Sequence, residues 1–175
     1  WLNNDDISLL EKHNVKISYN PVSNMKLASG VFNYQKMKKL TVSLGTDGCA
    51  SNNNLDMFEE MKIGSLLQKS YFNDETIMPA KEIFSIATEN GAKALGLNAG
   101  KIEEGKLADV LLIDLKKPEL TPNHDLISDL VYSANGSAVD TTICNGKILM
   151  KNRRVKNEEE ILEKVKKVAL DLISR

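Results

Sequence analysis

Thr41-Val42-Ser43-Leu44-Gly45-Thr46-Asp47-Gly48 runs from a short strand pattern directly into a turn. Thr41 to Gly45 reads as a strand, with β-branched and aliphatic residues and a glycine to end it. Working backwards, Val15-Lys16-Ile17-Ser18-Tyr19 is a second, alternating strand, and Asn20-Pro21 stops it because the residue before proline is driven to extended backbone. A polar loop is expected from there to Ser29-Gly30. Between the two strands, Val31, Tyr34, Met37 and Leu40 have helical spacing. Ahead of the first strand, residues 4–13 read as a helix, with Asp5 and Asp6 at its positive end and Lys12-His13-Asn14 at its negative end. After Asp47, Asn52 to Asn54 make a turn or cap. A long helix is expected from Leu55 to Tyr71 on Met57, Met61, Ile63, Leu66, Leu67 and Tyr71. Another starts at Pro79 and ends near Asn90-Gly91, and a short one covers Ala92 to Leu95. Strands alternating with helices imply βα units on a parallel sheet, so the fold class is α/β.

The second half is built differently. Ala108 to Asp114 reads as a buried strand, and Val139 to Cys144 as an alternating one. Asn145-Gly146 is a strong hairpin signal that returns the chain as Lys147 to Met150. One helix, Asp125 to Ala134, is inserted. A last amphipathic helix carries Ile161, Leu162, Val165, Val168, Ala169, Leu172 and Ile173 on one face. Glu158-Glu159-Glu160 and the basic residues beyond read as its solvated side. The domains expected are residues 1–97, residues 98–155, and a terminal helix at 156–175.

Composition narrows the function classes. A chain of 175 residues with 42% hydrophobic and 27% charged residues has enough apolar surface for a real core. Its formal net charge of −1 lacks the basic excess that a nucleic-acid or membrane partner calls for. Cys49 and Cys144 have no neighbouring cysteine, which argues against a disulfide framework or zinc knuckle. Both read as small buried residues, as in a reducing cytoplasm. The chain opens on Trp1-Leu2, as if cut from a longer one.

In parallel α/β architectures, ligands bind at the C-terminal ends of the strands. Asp47 is therefore the leading candidate, a carboxylate at such a mouth between small residues. An Asx turn or helix cap fits the same pattern. Asn20-Pro21-Val22-Ser23-Asn24 occupies the corresponding place after the preceding strand, where Asn20, Ser23 and Asn24 offer polar groups to a substrate or simply bond their own backbone. His13 and His124 lie at helix ends, in structural settings. With no HxH pair or paired cysteines, the chain alone does not assemble a three-ligand zinc site.

These segments resemble the amidohydrolase superfamily, and within it the deaminases of S-adenosylhomocysteine, methylthioadenosine and 5′-deoxyadenosine. Val15 to Gly30 resembles the loop after the sixth or seventh barrel strand of that family, and Gly45 to Asp56 its segment after the eighth. Gly105-Lys106-Leu107-Ala108-Asp109-Val110 and Val139 to Ile148 resemble its C-terminal β-sandwich. The resemblance implies the C-terminal part of a (β/α)8 TIM-like barrel, then part of a small composite β-sandwich and a C-terminal helix. It implies that Asp47 is a metal ligand and the catalytic acceptor of a proton from the metal's water. One divalent metal is implied, zinc first and iron as the alternative. The family's HxH pair, its other histidines and its catalytic Glu have no counterpart in this chain, and its last catalytic His falls just ahead of Trp1. Tyr19 stands where relatives often have His. Asn20 to Asn24 and Ser51 to Asn53 are then expected to shape the pocket for a small-molecule nucleoside, in an enzyme that is a homo-oligomer when intact. Guanine or cytosine deaminases, chlorohydrolase-like enzymes and a non-catalytic folding module are the competing readings.

Overall fold

A computed structural model of the chain describes residues 2–174; the Trp1 opening lies outside them. Helix α1 (Asn4–Lys12) begins in a capping box, in which the Asn3 side chain accepts from Asp5 and Asp6 and the Asp6 carboxylate accepts from the Asn3 amide. Strand β1 (Lys16–Tyr19) leads into α2 (Pro21–Lys26), and α3 (Tyr34–Met37) into β2 (Thr41–Leu44). Three helices follow: α4 (Met57–Phe72), α5 (Ala80–Ala87) and α6 (Glu89–Ala94). β1 and β2 are parallel and in register from Lys16 opposite Thr41 to Tyr19 opposite Leu44, so their C-terminal ends lie side by side.

The second half holds β3 (Val110–Ile113), α7 (Leu126–Tyr132), β4 (Val139–Cys144), β5 (Lys147–Lys151), the two-residue β6 (Arg154–Val155) and α8 (Glu158–Ile173). β3 to β6 form an antiparallel sheet in chain order. The expected hairpin is present, with Cys144 opposite Lys147 and Ile143 opposite Ile148. Asn145 and Gly146 both have positive φ, 46° and 74°, as a type I′ turn requires. The halves share one core: Leu120, Val131, Ala138 and Val139 are buried in the same cluster as Tyr19, Val42, Ile83 and Ile86. Mixed helices and strands around a parallel pair bear out the α/β class.

Several expectations give way. The stretch after Asn20 is a helix and not a loop, because Pro21 sits at its first turn where its missing N–H costs nothing. The helix expected over Val31–Leu40 shrinks to one turn. Gly30 has a φ of 87°, and Phe32 lies ahead of the helix, stacked on Tyr19 at 4.9 Å with its carbonyl accepting from Gln68. The break between α5 and α6 falls at Thr88, whose hydroxyl donates to the Phe84 carbonyl. Both cysteines are exposed, Cys49 in the loop after Asp47 and Cys144 beside the hairpin turn. β3 is not buried: Leu111 and Leu112 are 49% and 50% exposed. The apolar stripe of α8 lies against no core among the described residues.

α4 departs furthest from its sequence pattern. Leu66 and Tyr71, part of the apolar pattern that marked the helix, are exposed, while its buried face consists of Phe58, Glu60, Met61, Gly64, Ser65 and Gln68. Each buried polar side chain binds a separate segment. Ser65 donates to the Met78 carbonyl at 2.7 Å and lies 2.9 Å from the Tyr132 hydroxyl. Gln68 serves Phe32, Tyr34 and Tyr19. Glu60 takes the connections after β1 and β2. Gly64 lets the helix approach closely, since a Cβ there would lie 3.2 Å from both the Pro21 ring and the Tyr19 ring. Gly64→Val is expected to destabilise the protein by about 2 kcal/mol through overpacking. In thermal denaturation that corresponds to a Tm lower by roughly 4–8 °C. An unchanged or raised Tm would show that α4 does not rest on β1 and α2 in this way.

Candidate functional site

β1 and β2 end next to each other, and the polar residues beyond them meet over the strand ends. Asp47 follows β2 in the left-handed region, at φ 62°, and is exposed. A non-glycine residue at such an angle persists only when its surroundings fix it. Here they do. Asp47 Oδ1 accepts from the Gly48 amide at 2.8 Å. Oδ2 accepts from Ser23 Oγ at 2.7 Å and from Ser51 Oγ at 2.6 Å. Thr46 Oγ1 adds a bond to the Asp47 carbonyl at 3.0 Å. The hydroxyls of Ser51 and Ser23, and then the Gly48 amide, hold the Asp47 carboxyl below the usual carboxylate range.

This bonding decides what the carboxylate has left to offer. Each oxygen accepts about two hydrogen bonds. Oδ2 is filled by two serines, whereas Oδ1 has only the Gly48 amide. Oδ1 is thus the atom with room for a cation or a proton. Ser23 and Ser51, expected as substrate contacts, face the carboxylate. Ser23 is 2% exposed, and its place on the first turn of α2 is what aims its hydroxyl at Asp47.

The other expected residues divide. Asn20 sits at the mouth beside Gly45, its amide nitrogen facing the Gly45 carbonyl at 3.1 Å and Ser18 Oγ at 2.9 Å, which leaves the amide oxygen to accept. Gly45 has to be glycine for this: a Cβ there would stand 2.5 Å from the Asn20 amide nitrogen and 2.7 Å from Ser18 Oγ. Asn24 is half-buried on α2, and no hydrogen bond ties its side chain to Asp47. Tyr19 turns away from the mouth, buried under α4 with its hydroxyl on Gln68 and its pKa pushed up to about 12 by burial. His13 caps α1, as expected.

Asn52, inside the expected Ser51 to Asn53 stretch, and Glu60, outside the expected site, complete it. Asn52, 1% exposed, donates to the Thr46 carbonyl at 2.8 Å and to Glu60 Oε1. Glu60, fully buried, accepts from the Val22 amide on its other oxygen at 3.2 Å. Burial pushes the Glu60 carboxyl up, and the hydrogen bonds from Val22 and Asn52 oppose that shift. On the outer side, Lys26 crosses from α2 to the Ala50 carbonyl and Asn53. Among the described residues, no three His, Cys, Asp or Glu side chains gather where they could hold a metal.

The family model for amidohydrolases matches residues 1–149 of the chain. A 5′-deoxyadenosine deaminase of Methanospirillum hungatei is 50% identical over all of this chain and 40% of its own length. A 5-methylthioadenosine/S-adenosylhomocysteine deaminase of Thermococcus kodakarensis is 56% identical over 86% of this chain and 36% of its own. The chain thus spans about 40% of the length of these relatives. Among solved structures, a zinc-bound adenosine deaminase from Xanthomonas campestris superposes with a TM-score of 0.92 at 35% identity, over 99% of this chain and 40% of that one. A triazine hydrolase variant at 24% identity and a TM-score of 0.84 shares the fold.

Replacing Ser51 or Ser23 with Ala removes a donor from Asp47 Oδ2, so the Asp47 pKa is expected to rise in each variant and further in the double one. Carboxyl-carbon NMR titration reads this directly; a pKa that does not move in either variant would mean the hydroxyls do not bind the carboxylate.

Proposed function

The chain belongs to the amidohydrolase family, and we propose that it is the C-terminal part of a metal-dependent aminohydrolase that converts adenosine derivatives to the inosine analogue and ammonia. The observation that carries the reading is the Asp47 carboxylate, held at the strand ends by two serines and a backbone amide with Oδ1 left open. The names of relatives at 50% and 56% identity support 5′-deoxyadenosine, methylthioadenosine and S-adenosylhomocysteine as the substrate class.

In this reading residues 1–97 are the last βα units of a (β/α)8 barrel, residues 98–155 part of a composite β-sandwich, and residues 156–175 a terminal helix. The surface of the chain fits such an arrangement. Parallel strands are normally covered on both faces and flanked by further strands, which a two-stranded pair lacks. Leu111 and Leu112, consecutive on β3, point to opposite faces of the antiparallel sheet, and both expose aliphatic surface that further elements would bury.

The metal is a divalent ion, zinc first and iron as the alternative. Asp47 fits it as one anionic oxygen ligand, and histidines from outside this chain would supply the rest, since catalytic zinc sites use three protein ligands. A divalent ion bound there lowers the pKa of its water to about 7, supplying hydroxide at neutral pH. Replacement of the adenine amino group then needs a base near that water and a proton for the departing ammonia. Asp47 is the base this chain provides: with the ion on Oδ1, the proton goes to Oδ2 as one of the two serine hydroxyls turns away. The donors that keep Asp47 ionised also make it a weak base, so a proton accepted there is readily passed on toward the leaving group. Asn20 shapes the mouth with its amide oxygen, the one acceptor that Ser18 and Gly45 leave open.

Asp47→Asn in the full-length protein is expected to abolish nearly all turnover of 5′-deoxyadenosine, followed by the absorbance change from adenine to hypoxanthine, with the circular-dichroism spectrum intact. More than about a tenth of the activity would mean a loss below about 1.4 kcal/mol of transition-state stabilisation, too little for a central role. The 175-residue chain by itself is expected to give no turnover and to lose zinc on dialysis, because one carboxylate does not hold the ion. A folded monomer that keeps one zinc and deaminates would contradict the proposed division of the site.

A further inference from the structure

We infer that Glu60 is a positioning residue for Asp47: its buried carboxylate fixes the connections after both parallel strands, and through them the two serines that aim the Asp47 carboxylate. The inference deepens the function proposed above and rests on Asp47 acting there as ligand and base.

Two arms lead from Glu60 to the serines. Glu60 Oε2 accepts from the Val22 amide at 3.2 Å, and the next residue, Ser23, donates to Asp47 Oδ2. Glu60 Oε1 accepts from Asn52 Nδ2, and the preceding residue, Ser51, donates to the same Oδ2. The Asn52 amide also donates to the carbonyl of Thr46, which directly precedes Asp47, while its oxygen accepts from the Asn54 amide at 3.3 Å. Glu60 touches neither Asp47 nor the mouth. It sits beneath them, fully buried on α4, one turn before the Gly64 contact that seats the helix on Pro21 and Tyr19.

The chemistry asks for a carboxylate. Both groups facing Glu60 are N–H donors, so both of its oxygens must accept. Glutamine has the same size but one acceptor, and its NH2 would meet a donor in one arm. The Asn52 amide is not free to turn over and compensate, because that would break its bonds to Thr46 and Asn54. One connection is therefore released whichever way glutamine sits. Groups that orient a metal's ligands typically matter by 10–100-fold in metal affinity or activity, and that is the scale expected here.

The test compares Glu60→Gln with Ser65→Ala in the full-length protein. Ser65 is as buried on the same helix face, but it bonds Met78 and Tyr132 and reaches nothing beside Asp47. Zinc affinity is read by competition with a chromophoric chelator, and kcat and KM on 5′-deoxyadenosine are measured well below the Tm of every variant. Glu60→Gln is expected to weaken zinc binding by about tenfold or more and to lower kcat with little change in KM, while Ser65→Ala lowers Tm and leaves both intact. Equal effects of the two substitutions, or an effect of Glu60→Gln on Tm alone, would overturn the inference. Should Glu60→Gln not fold, Asn52→Ser, which cuts a single arm, is read against the same outcomes. A wild-type protein that binds zinc without deaminating, and loses affinity on Glu60→Gln, would sink the proposed function while sustaining the positioning role.

Discussion

One buried carboxylate, accepting an N–H from each side, is the constraint that the arrangement around Asp47 depends on. Glu60 has no solvent contact, and a carboxylate taken from water without partners costs several kcal/mol. Its partners are the Val22 amide and the Asn52 side chain, which belong to the connections after β1 and after β2. Satisfying Glu60 therefore requires both connections to be in place together. Once they are, Ser23 and Ser51 converge on Asp47 Oδ2, and the left-handed backbone at Asp47 has the bonds that hold it.

The same logic extends along α4. Glu60, Ser65 and Gln68 lie on its buried face, and each uses hydrogen bonds to gather a segment that has no regular structure to order it. A helix with an aliphatic face would bury more apolar area, but it would leave the carbonyls of Phe32 and Met78 without those partners, at a cost of about 1–3 kcal/mol each. Gly64 completes the design by letting the helix come within reach of Tyr19 and Pro21. The polar face helps two short parallel strands bring their ends into one register.

Much of this was legible in the sequence, and the gaps have physical causes. Asp47 stood out because a strand pattern ran straight into small residues around one carboxylate. The β4–β5 hairpin was legible because Asn-Gly selects a turn type by backbone angle alone. The helix after Asn20 was missed because six residues are too few for an apolar period to register, although proline after an extended residue was the available signal. Glu60 was missed because a Glu-Glu pair on a helix reads as solvated. Its place one and two turns before Gly64 and Gln68, on the stripe with Met61, marks the buried side only once the apolar Leu66 and Tyr71 are known to face outwards. Cys49 and Cys144 were misread for a related reason: residue type predicts burial on average, while a loop and a turn edge put these two at the surface.

The exposed aliphatic residues of β3, β5 and α8, and the Asp47 carboxylate with no metal-ligand cluster around it among the described residues, both fit the proposed C-terminal part of a longer enzyme. The most direct measurement of that claim is an anomalous difference map at the zinc edge from crystals of the full-length protein. The account predicts a peak about 2.0–2.2 Å from Asp47 Oδ1, with the hydroxyls of Ser23 and Ser51 still on Oδ2. A zinc bound entirely by other residues, with Asp47 turned away from it, would contradict the account.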